Sequence, residues 1–261
     1  MRPYRTITGV YHNNTDNLAE GIRHFPLNKL EEEQGTYDEV FLLSAYITGG
    51  KATNSERQKM YSTNVKLVER VCSRFQKSRI IFSSTIMVYQ ARHEVINETS
   101  LEGYLNEYGI SKLWGEKMVE NCTNYAIVRP AFVYGIGMKP TPMIPSYIQQ
   151  ALHKNQIEVW GAGHRVQNYL HVKDAVGYLQ SAAQNTTNGK FLALGNDSLS
   201  NLQIAQLIAG VTNSSITYKG TDNTPSFYFN NSQTTALLTY TPKYNFAGEI
   251  NNLIEWVQKK F

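Results

Sequence analysis

Residues 79–89, RIIFSSTIMVY, decide the fold. The segment starts with an apolar run, Ile80 to Phe82, that is typical of a strand buried on both faces. Three consecutive hydroxyl residues, Ser83 to Thr85, follow this apolar run. Ligands of open α/β sheets bind beyond the carboxyl ends of parallel strands. The hydroxyls are therefore candidates for ligand binding, although turn formation would use the same residue types.

Comparable apolar runs occur on both sides of this segment and alternate with stretches of helical period. Besides Arg79–Ser83, the predicted strands are Thr6–Tyr11, Glu39–Ala45, Tyr125–Arg129, Ile157–Trp160, Asn168–Val172 and Phe191–Gly195. The segments Lys59–Phe75 and Glu107–Asn121 have apolar residues at helical spacing and separate the earlier strands. Strands that alternate with helices indicate βαβ units, in which helices cover both faces of a parallel sheet. The sequence therefore predicts an α/β protein with a smaller C-terminal lobe.

The composition excludes several classes of protein. The 261 residues carry 25 Lys and Arg against 21 Asp and Glu, and the basic residues are scattered along the chain. Nucleic-acid-binding proteins usually gather such residues on one face. No apolar run approaches the roughly 18 residues that cross a membrane, and the first residues lack the apolar core of a signal peptide. We therefore expect a cytoplasmic protein that binds neither nucleic acid nor membrane.

The two cysteines and six histidines show no metal-binding spacing. Cys72 and Cys122 lie in or beside predicted helices and form no CxxC motif. We interpret them as two reduced, buried thiols, and we predict no metal site.

The strongest candidate for chemistry is the pentapeptide Tyr108-Gly-Ile-Ser-Lys112. Residues four apart on a helix are neighbours, so the Lys112 ammonium can lie beside the phenol and lower its pKa. A tyrosine with a lowered pKa is a usable acid or base near neutral pH. Tyr169 and Lys173 have the same spacing, but they lie in a strand-like segment, where residues four apart are separated by roughly 13 Å. We attribute that second pair to chance.

Five segments resemble, in their order and spacing, the motifs of the extended short-chain dehydrogenase/reductase superfamily, which includes the NAD-dependent epimerase/dehydratase family. They are Asp38–Ala45, Asn64–Val65, Phe82–Tyr89, Tyr108–Lys112 and Val128–Gly137. Three C-terminal segments continue the resemblance, namely Gly161–Gly163, Asn168–Asp174 and Leu237–Pro242. The resemblance implies a Rossmann-like, doubly wound parallel sheet and a smaller C-terminal α/β lobe for the substrate.

The same resemblance divides the chain into two parts. Residues 1–137 correspond to an incomplete dinucleotide-binding domain, and residues 138–261 correspond to the substrate lobe. Within that lobe, residues 168–172 and 191–195 are candidates to return to the main sheet.

The dinucleotide-binding part lacks the first strand of the fold. No GxGxxG or GxxGxxG motif occurs in the chain, although such a loop normally cradles the cofactor pyrophosphate. Thr6–Tyr11 resembles the family's second strand, and Met1–Arg5 the end of the helix before it. In the strand order 3-2-1-4-5-6, the first strand lies between the second and the fourth. Its absence predicts two open strand edges in the middle of the sheet.

The resemblance implies a role for each residue at the carboxyl edge of the sheet. Tyr108 would be the acid/base, and Lys112 would lower its pKa and bind the nicotinamide ribose. Thr85 would bind the substrate oxygen undergoing reaction. Ser83, Ala45 and Asn64 would contact the cofactor, with Asn64 holding a proton-relay water.

The cofactor is NAD or NADP, and the residues leave this choice open. The acid that binds the ribose after the family's second strand is absent, since Tyr11-His12-Asn13 stands there.

Three residues are expected to contact the substrate. Phe132 occupies the position of a substrate-binding Asn, and Gln167 that of a frequent Arg. Arg165 lies nearby and could hold a pyrophosphate, with an exposed turn as its alternative. Water-eliminating members commonly have an acidic pair after the Thr position. This chain has Ile86 and Met87 there, which argues against a 4,6-dehydratase.

These features predict an NAD(P)-dependent nucleotide-sugar epimerase or reductase. The alternative is a catalytically impaired, truncated remnant that acts as a sugar-nucleotide-binding or interaction protein. A general carbonyl or nucleotide-sugar reductase would use the same Tyr and Lys. A homodimer could form through the helix that carries Tyr108, using Leu113, Trp114 and Met118, although their spacing favours a core-facing role.

Overall fold

The structure is a computed structural model that describes residues 6–15, 18–48, 51–90, 94–103, 106–139 and 142–260. The segment Met1–Arg5, interpreted above as the end of a helix, lies outside these residues. Within the described ranges no helix has the length and apolar character that a membrane span requires.

The elements follow the alternating order predicted from the sequence. The strands are β1 (Thr8–Tyr11), β2 (Arg23–Pro26), β3 (Glu39–Leu42), β4 (Arg79–Ser83), β5 (Tyr125–Pro130), β6 (Phe132–Tyr134), β7 (Gln156–Trp160), β8 (Val166–His171), β9 (Gly189–Ala193), β10 (Asp197–Ser200) and β11 (Ser215–Lys219). The helices are α1 (Asn54–Tyr61), α2 (Leu67–Arg74), α3 (Glu107–Val119), α4 (Met143–Lys154), α5 (Val172–Gln184), α6 (Asn201–Thr212), α7 (Ser232–Leu238) and α8 (Phe246–Lys260).

A four-stranded, wholly parallel sheet in the order β3-β4-β5-β9 forms the centre of the molecule. Its second strand, β4, has the bounds predicted from the sequence, and Ile80, Ile81 and Phe82 are completely buried. Helices and strands alternate along the chain, so each crossover brings the next strand back parallel to the previous one. The predicted Rossmann-like α/β fold is confirmed.

The strands β1 and β2 pair with each other in parallel but form a separate two-stranded sheet. Among the described residues, neither β1 nor β3 has a strand partner on its other edge. Apolar side chains are exposed there: Val10 is 48% exposed and Leu43, just after β3, is 56% exposed. Among the described residues, β1 and β3 therefore each have the open edge that was predicted.

The two segments expected to return to the main sheet behave differently. β9, which contains Phe191–Ala193, pairs with β5 as its parallel neighbour. β8 pairs instead with β6 and β10 in a three-stranded sheet. This corrects the expectation for residues 168–172, and the reason lies at Pro130. Proline has no N–H for a strand ladder, so β5 ends at that residue and the chain continues into β6, which offers β8 a new partner.

The rest of the C-terminal part packs as a second core beside the sheet. β7 and β11 pair in parallel, and helices α4, α6 and α8 contribute apolar residues to this core. The chain re-enters the main sheet at β9, so the C-terminal part contributes to both cores.

Candidate active site

The carboxyl end of β4 turns directly into a short 3₁₀ helix, Ile86–Val88. Thr85 precedes it in extended conformation, and its Oγ1 accepts the N–H of Met87 at 3.2 Å. This is the turn-forming use that the sequence offered as the alternative to binding. A hydroxyl that accepts one hydrogen bond still has a hydrogen to donate. Thr85 can therefore both cap the turn and bind a ligand oxygen.

Helix α3 begins against this turn. Its N-cap is Asn106, whose Oδ1 accepts the N–H of Gly109 at 2.9 Å. A side chain at Gly109 would collide with the main-chain oxygen of Met87, so only glycine permits this approach. Tyr108, the second residue of the helix, is thus held next to the turn capped by Thr85.

Lys112 lies one helical turn further on, and its side chain is completely buried. Its Nζ has no hydrogen-bond partner among the described residues and lies 4.0 Å from the centre of the Phe82 ring. Burial lowers the pKa of Lys112 to about 7, and the nearby Glu116 carboxylate opposes this shift. An unpartnered buried ammonium is unfavourable, so a hydrogen-bond acceptor placed next to Nζ would stabilise the charged form of Lys112.

The pKa of Tyr108 differs from the sequence-based expectation. Burial raises it to about 12, and no lowering by Lys112 accompanies this effect. Lys112 is itself buried without an acceptor, which disfavours its charged form. The predicted helical spacing is present, but the predicted lowering of the tyrosine pKa is not.

Asn64 is completely buried in a π-helical turn, Ser62–Lys66, that separates α1 from α2. Its Nδ2 donates to Ser111 Oγ at 2.9 Å and to the Tyr46 oxygen at 3.0 Å, and its Oδ1 accepts the Tyr46 N–H at 2.8 Å. Both amide hydrogens are used. The side chain therefore joins the loop after β3 to the residue preceding Lys112, and its expected role with a relay water stays a prediction.

A buried charge cluster supports the same helix, and sequence reasoning missed it. Glu116, one turn after Lys112, pairs with Arg129 of β5: Nε lies 3.0 Å from Oε1 and Nη2 lies 2.5 Å from Oε2. Ser84 donates a short hydrogen bond to Glu116, and Arg129 also contacts Glu102. The available signal was an isolated Arg in the apolar strand YAIVRP. An arginine buried there requires a partner.

The two remaining cofactor-binding candidates lie after neighbouring strands. Ser83 is half-buried at the end of β4, and Ala45 is exposed in the loop after β3. Leu42 and Phe82 are register partners, so both candidates occupy the same carboxyl edge of the parallel sheet. Lys112 lies over the ring of Phe82, the residue before Ser83, so its unpartnered Nζ is close to the end of β4.

The three predicted substrate residues converge on Tyr169, whose pairing with Lys173 seemed accidental in the sequence. The Phe132 and Tyr169 rings lie 6.4 Å apart, and Gln167 Nε2 donates to the Tyr169 hydroxyl at 3.1 Å. Burial raises the pKa of Tyr169 to about 12, while Gln167 and the charge of Arg165 oppose this shift. Arg165 Nε is buried and has no partner within the described ranges. These residues therefore form one cluster around the ring and hydroxyl of Tyr169.

A parallel sheet with a Tyr and a Lys one helical turn apart at its carboxyl edge defines a Rossmann-type protein of the extended short-chain dehydrogenase/reductase class. The chain belongs to the NAD dependent epimerase/dehydratase family, whose model matches residues 17–195.

Curated relatives carry the names of nucleotide-sugar enzymes. The chain is 29% identical over 207 residues to a UDP-N-acetyl-alpha-D-glucosaminuronate decarboxylase of Bacillus cytotoxicus, covering 72% of this chain and 63% of that protein. It is 25% identical over 203 residues to a dTDP-D-glucose 4,6-dehydratase of Dictyostelium discoideum, covering 69% of this chain and 46% of that protein. The chain thus spans less than two thirds of the length of these relatives.

Solved structures share the fold over almost the whole chain. MoeE5 in complex with UDP-glucuronic acid and NAD superposes with a TM-score of 0.84 at 20% identity, covering 98% of this chain and 92% of that one. UDP-glucuronic acid 4-epimerase from Bacillus cereus, in complex with UDP-glucuronic acid and NAD, gives a TM-score of 0.81 at 19% identity, covering 94% and 84%.

Proposed function

We propose that the protein is an NAD(P)-dependent nucleotide-sugar epimerase or reductase in which Tyr108 is the acid/base. The observation that carries the proposal is the buried, unpartnered Nζ of Lys112, one helical turn from Tyr108. A lysine is retained there at a cost in stability, which is typical of a functional group rather than of packing. When bound, the nicotinamide would accept a hydride from a sugar carbon and could return it.

Tyr108 would take the proton of the sugar hydroxyl as that hydride leaves. A phenol with a pKa of about 12 is a poor base at neutral pH, so Lys112 must be charged when the reaction takes place. A ribose hydroxyl accepting from Nζ would stabilise the charged ammonium, and its field would lower the pKa of Tyr108. Thr85 would donate its remaining hydroxyl hydrogen to the same sugar oxygen.

The proposed cofactor site comprises Lys112, Ser83, Ala45 and Asn64. The NAD named in the MoeE5 and B. cereus epimerase structures supports NAD as the cofactor, and NADP stays the alternative. Asn64 would act through position, because it ties the loop after β3 to α3.

The proposed substrate is a nucleotide sugar, as in the names of the relatives. The unpartnered Nε of Arg165 would donate to a pyrophosphate oxygen. Phe132 and Gln167, which both contact Tyr169, would line the substrate site beside Arg165. Ile86 is buried in the core, so its position offers no acid for eliminating water. This favours epimerisation or reduction over 4,6-dehydration, although dehydratases occur among the relatives.

No comparison supports the alternative of a non-catalytic binding or interaction protein. Epimerase and reductase share the proposed residues, and product analysis separates them. An epimerase returns the hydride and needs only catalytic cofactor, whereas a reductase consumes one reduced cofactor for each product molecule.

The first test is titration of the chain with NADH and NADPH, followed by fluorescence transfer from protein to nicotinamide. Saturable binding that is weakened in Lys112→Met supports the cofactor site. The matched control, Lys117→Met, removes an exposed lysine of the same helix and should bind normally. If the 261-residue chain shows no saturable binding, it does not work as an enzyme in this form.

The second test is the Tyr108→Phe variant, assayed with UDP-glucuronic acid or UDP-glucose. Removing an acid/base group should lower kcat by roughly 10²- to 10⁴-fold. Tyr178→Phe is the control. Tyr178 is also a buried tyrosine, but its hydroxyl accepts a hydrogen bond from Asn231 and is not one of the candidate site groups. If the two variants retain similar turnover, Tyr108 is not the acid/base.

A further inference from the structure

Two cysteines that are far apart in the sequence meet in the structure. Cys72 lies on α2 and Cys122 lies in the turn after α3, where its N–H donates to the Val119 oxygen at 2.9 Å. Both are half-buried rather than buried as the sequence suggested, and their thiols share a hydrogen bond. The chain has no other cysteine.

The pair lines a single cavity of about 320 Å³ that opens to solvent. Small polar residues line it on both sides of the cysteines, among them Ser73, Asn121 and Thr123. A small polar oxidant can therefore reach the sulfur atoms without unfolding the protein.

The shared hydrogen bond makes the two thiols unequal. It lowers the pKa of Cys122 because Cys72 donates to its sulfur, and the same contact, together with burial, raises the pKa of Cys72. Since the thiolate is the nucleophile in disulfide exchange, the lowered pKa supports Cys122 as the first nucleophile, and the shared cavity gives an oxidant access to both residues. Cys72 is then positioned to attack the sulfur that has reacted.

We propose that Cys72 and Cys122 form a reversible disulfide when the protein meets a low-molecular-weight disulfide such as oxidised glutathione. The Cys122 thiolate attacks one glutathione sulfur, forms a mixed disulfide and releases a glutathione thiolate. Cys72 loses its proton and attacks the Cys122 sulfur, which releases the second glutathione. Two protein thiols are oxidised and one oxidised glutathione is reduced to two thiols.

The bond would connect α2 to the residues that end α3, the helix whose first turn carries Tyr108. It would therefore be a redox-dependent link at the end of α3 that is opposite to Tyr108. The proposal does not depend on the proposed function, because it concerns only the thiols and the folded chain.

The test is incubation of the folded, reduced chain with oxidised glutathione, followed by intact mass measurement without reductant. We expect a monomer lighter by two hydrogen atoms and free of bound glutathione, and recovery of the original mass with reductant. Cys72→Ser and Cys122→Ser should each keep one glutathione adduct, because the thiol that would resolve the mixed disulfide is absent. A stable adduct on the wild-type chain, a disulfide-linked dimer or an unreacted protein would overturn the proposal.

A second measurement keeps the test decisive if a serine variant folds poorly. The ratio of disulfide to dithiol at fixed glutathione ratios gives the effective concentration of one thiol at the other. We expect this concentration to be at least about tenfold higher in the folded chain than in the same chain in urea. Equal values in both states would show that folding does not bring the thiols together.

Discussion

The two halves of the N-terminal part are stabilised in different ways. Around β4, β5 and α3, Glu116 and Arg129 pair completely inside the protein, and Lys112 Nζ is buried there without a partner. Around β1 and β2, the Arg70–Glu31 pair is exposed, Arg23 contacts the buried Glu33 from the solvent side, and strand edges expose apolar side chains. The half that contains the candidate site residues is therefore a closed unit, whereas β1 and β3 each have an open edge among the described residues.

This difference separates the two ends of the proposed dinucleotide site. The nicotinamide end depends on Lys112, Thr85 and Asn64, whose contacts all lie within the closed unit or at its border. The pyrophosphate end would depend on a loop beside β1, where the sheet is open. Catalytic geometry and cofactor affinity can therefore be tested separately.

The largest expected effect is loss of stability on breaking the buried pair. Arg129→Ala leaves the Glu116 carboxylate buried without its cation and should lower the free energy of unfolding by about 3–5 kcal/mol. The control is Arg70→Ala, which removes an exposed pair with Glu31 beside β2 and should cost less than about 1 kcal/mol. Urea unfolding measures both. Similar losses for the two variants would mean that the halves are not stabilised differently.

A smaller effect distinguishes two adjacent leucines at the end of β3. Leu42 is 6% exposed and packs in the core, so Leu42→Ala should cost about 2–5 kcal/mol. Leu43 is 56% exposed at the open edge, so Leu43→Ala should change stability by no more than about 0.5 kcal/mol. The same unfolding measurement checks both variants. A large loss for Leu43→Ala would indicate that this edge is covered in solution.

The sequence predicted the parts of the fold that depend on local patterns. The bounds of β4 follow from an apolar run ending at hydroxyls, and the helix carrying Tyr108 and Lys112 follows from helical spacing. The two open edges followed from the missing strand, because strand order fixes which neighbours lose a partner. Predicting these features requires only the neighbouring residues in the sequence or the strand order of the fold.

Contacts between distant segments could not be predicted in this way. Nothing local to Arg129 identifies Glu116 as its partner, and nothing local to Cys72 indicates Cys122. Tyr169 was dismissed because its spacing to Lys173 is wrong for a strand, yet its actual neighbours come from β6 and from its own strand. The pKa of Tyr108 was predicted from spacing, but burial, which depends on the whole fold, determines its direction.

A third effect, smaller per pH unit than the losses from Arg129→Ala and Leu42→Ala, is the pH dependence of stability produced by Lys112. Its folded-state pKa of about 7 lies below the ordinary value of 10.5, so above pH 7 the unfolded chain binds a proton that the folded chain does not. Stability should therefore rise with pH between 7 and 9, by at most about 1.4 kcal/mol per pH unit.

Lys112→Met should flatten this rise, because methionine fills the same buried position without a titrating group. Lys117→Met, an exposed lysine on the same helix, should leave the slope unchanged. Urea unfolding of the three proteins at several pH values within this window gives the comparison, and the tyrosines with raised pKa values stay protonated in both states there. If the wild-type slope survives in Lys112→Met, Lys112 is already charged in the folded protein. A group of the protein would then accept a hydrogen bond from the Lys112 Nζ, and Lys112 would not need a ligand to supply that acceptor.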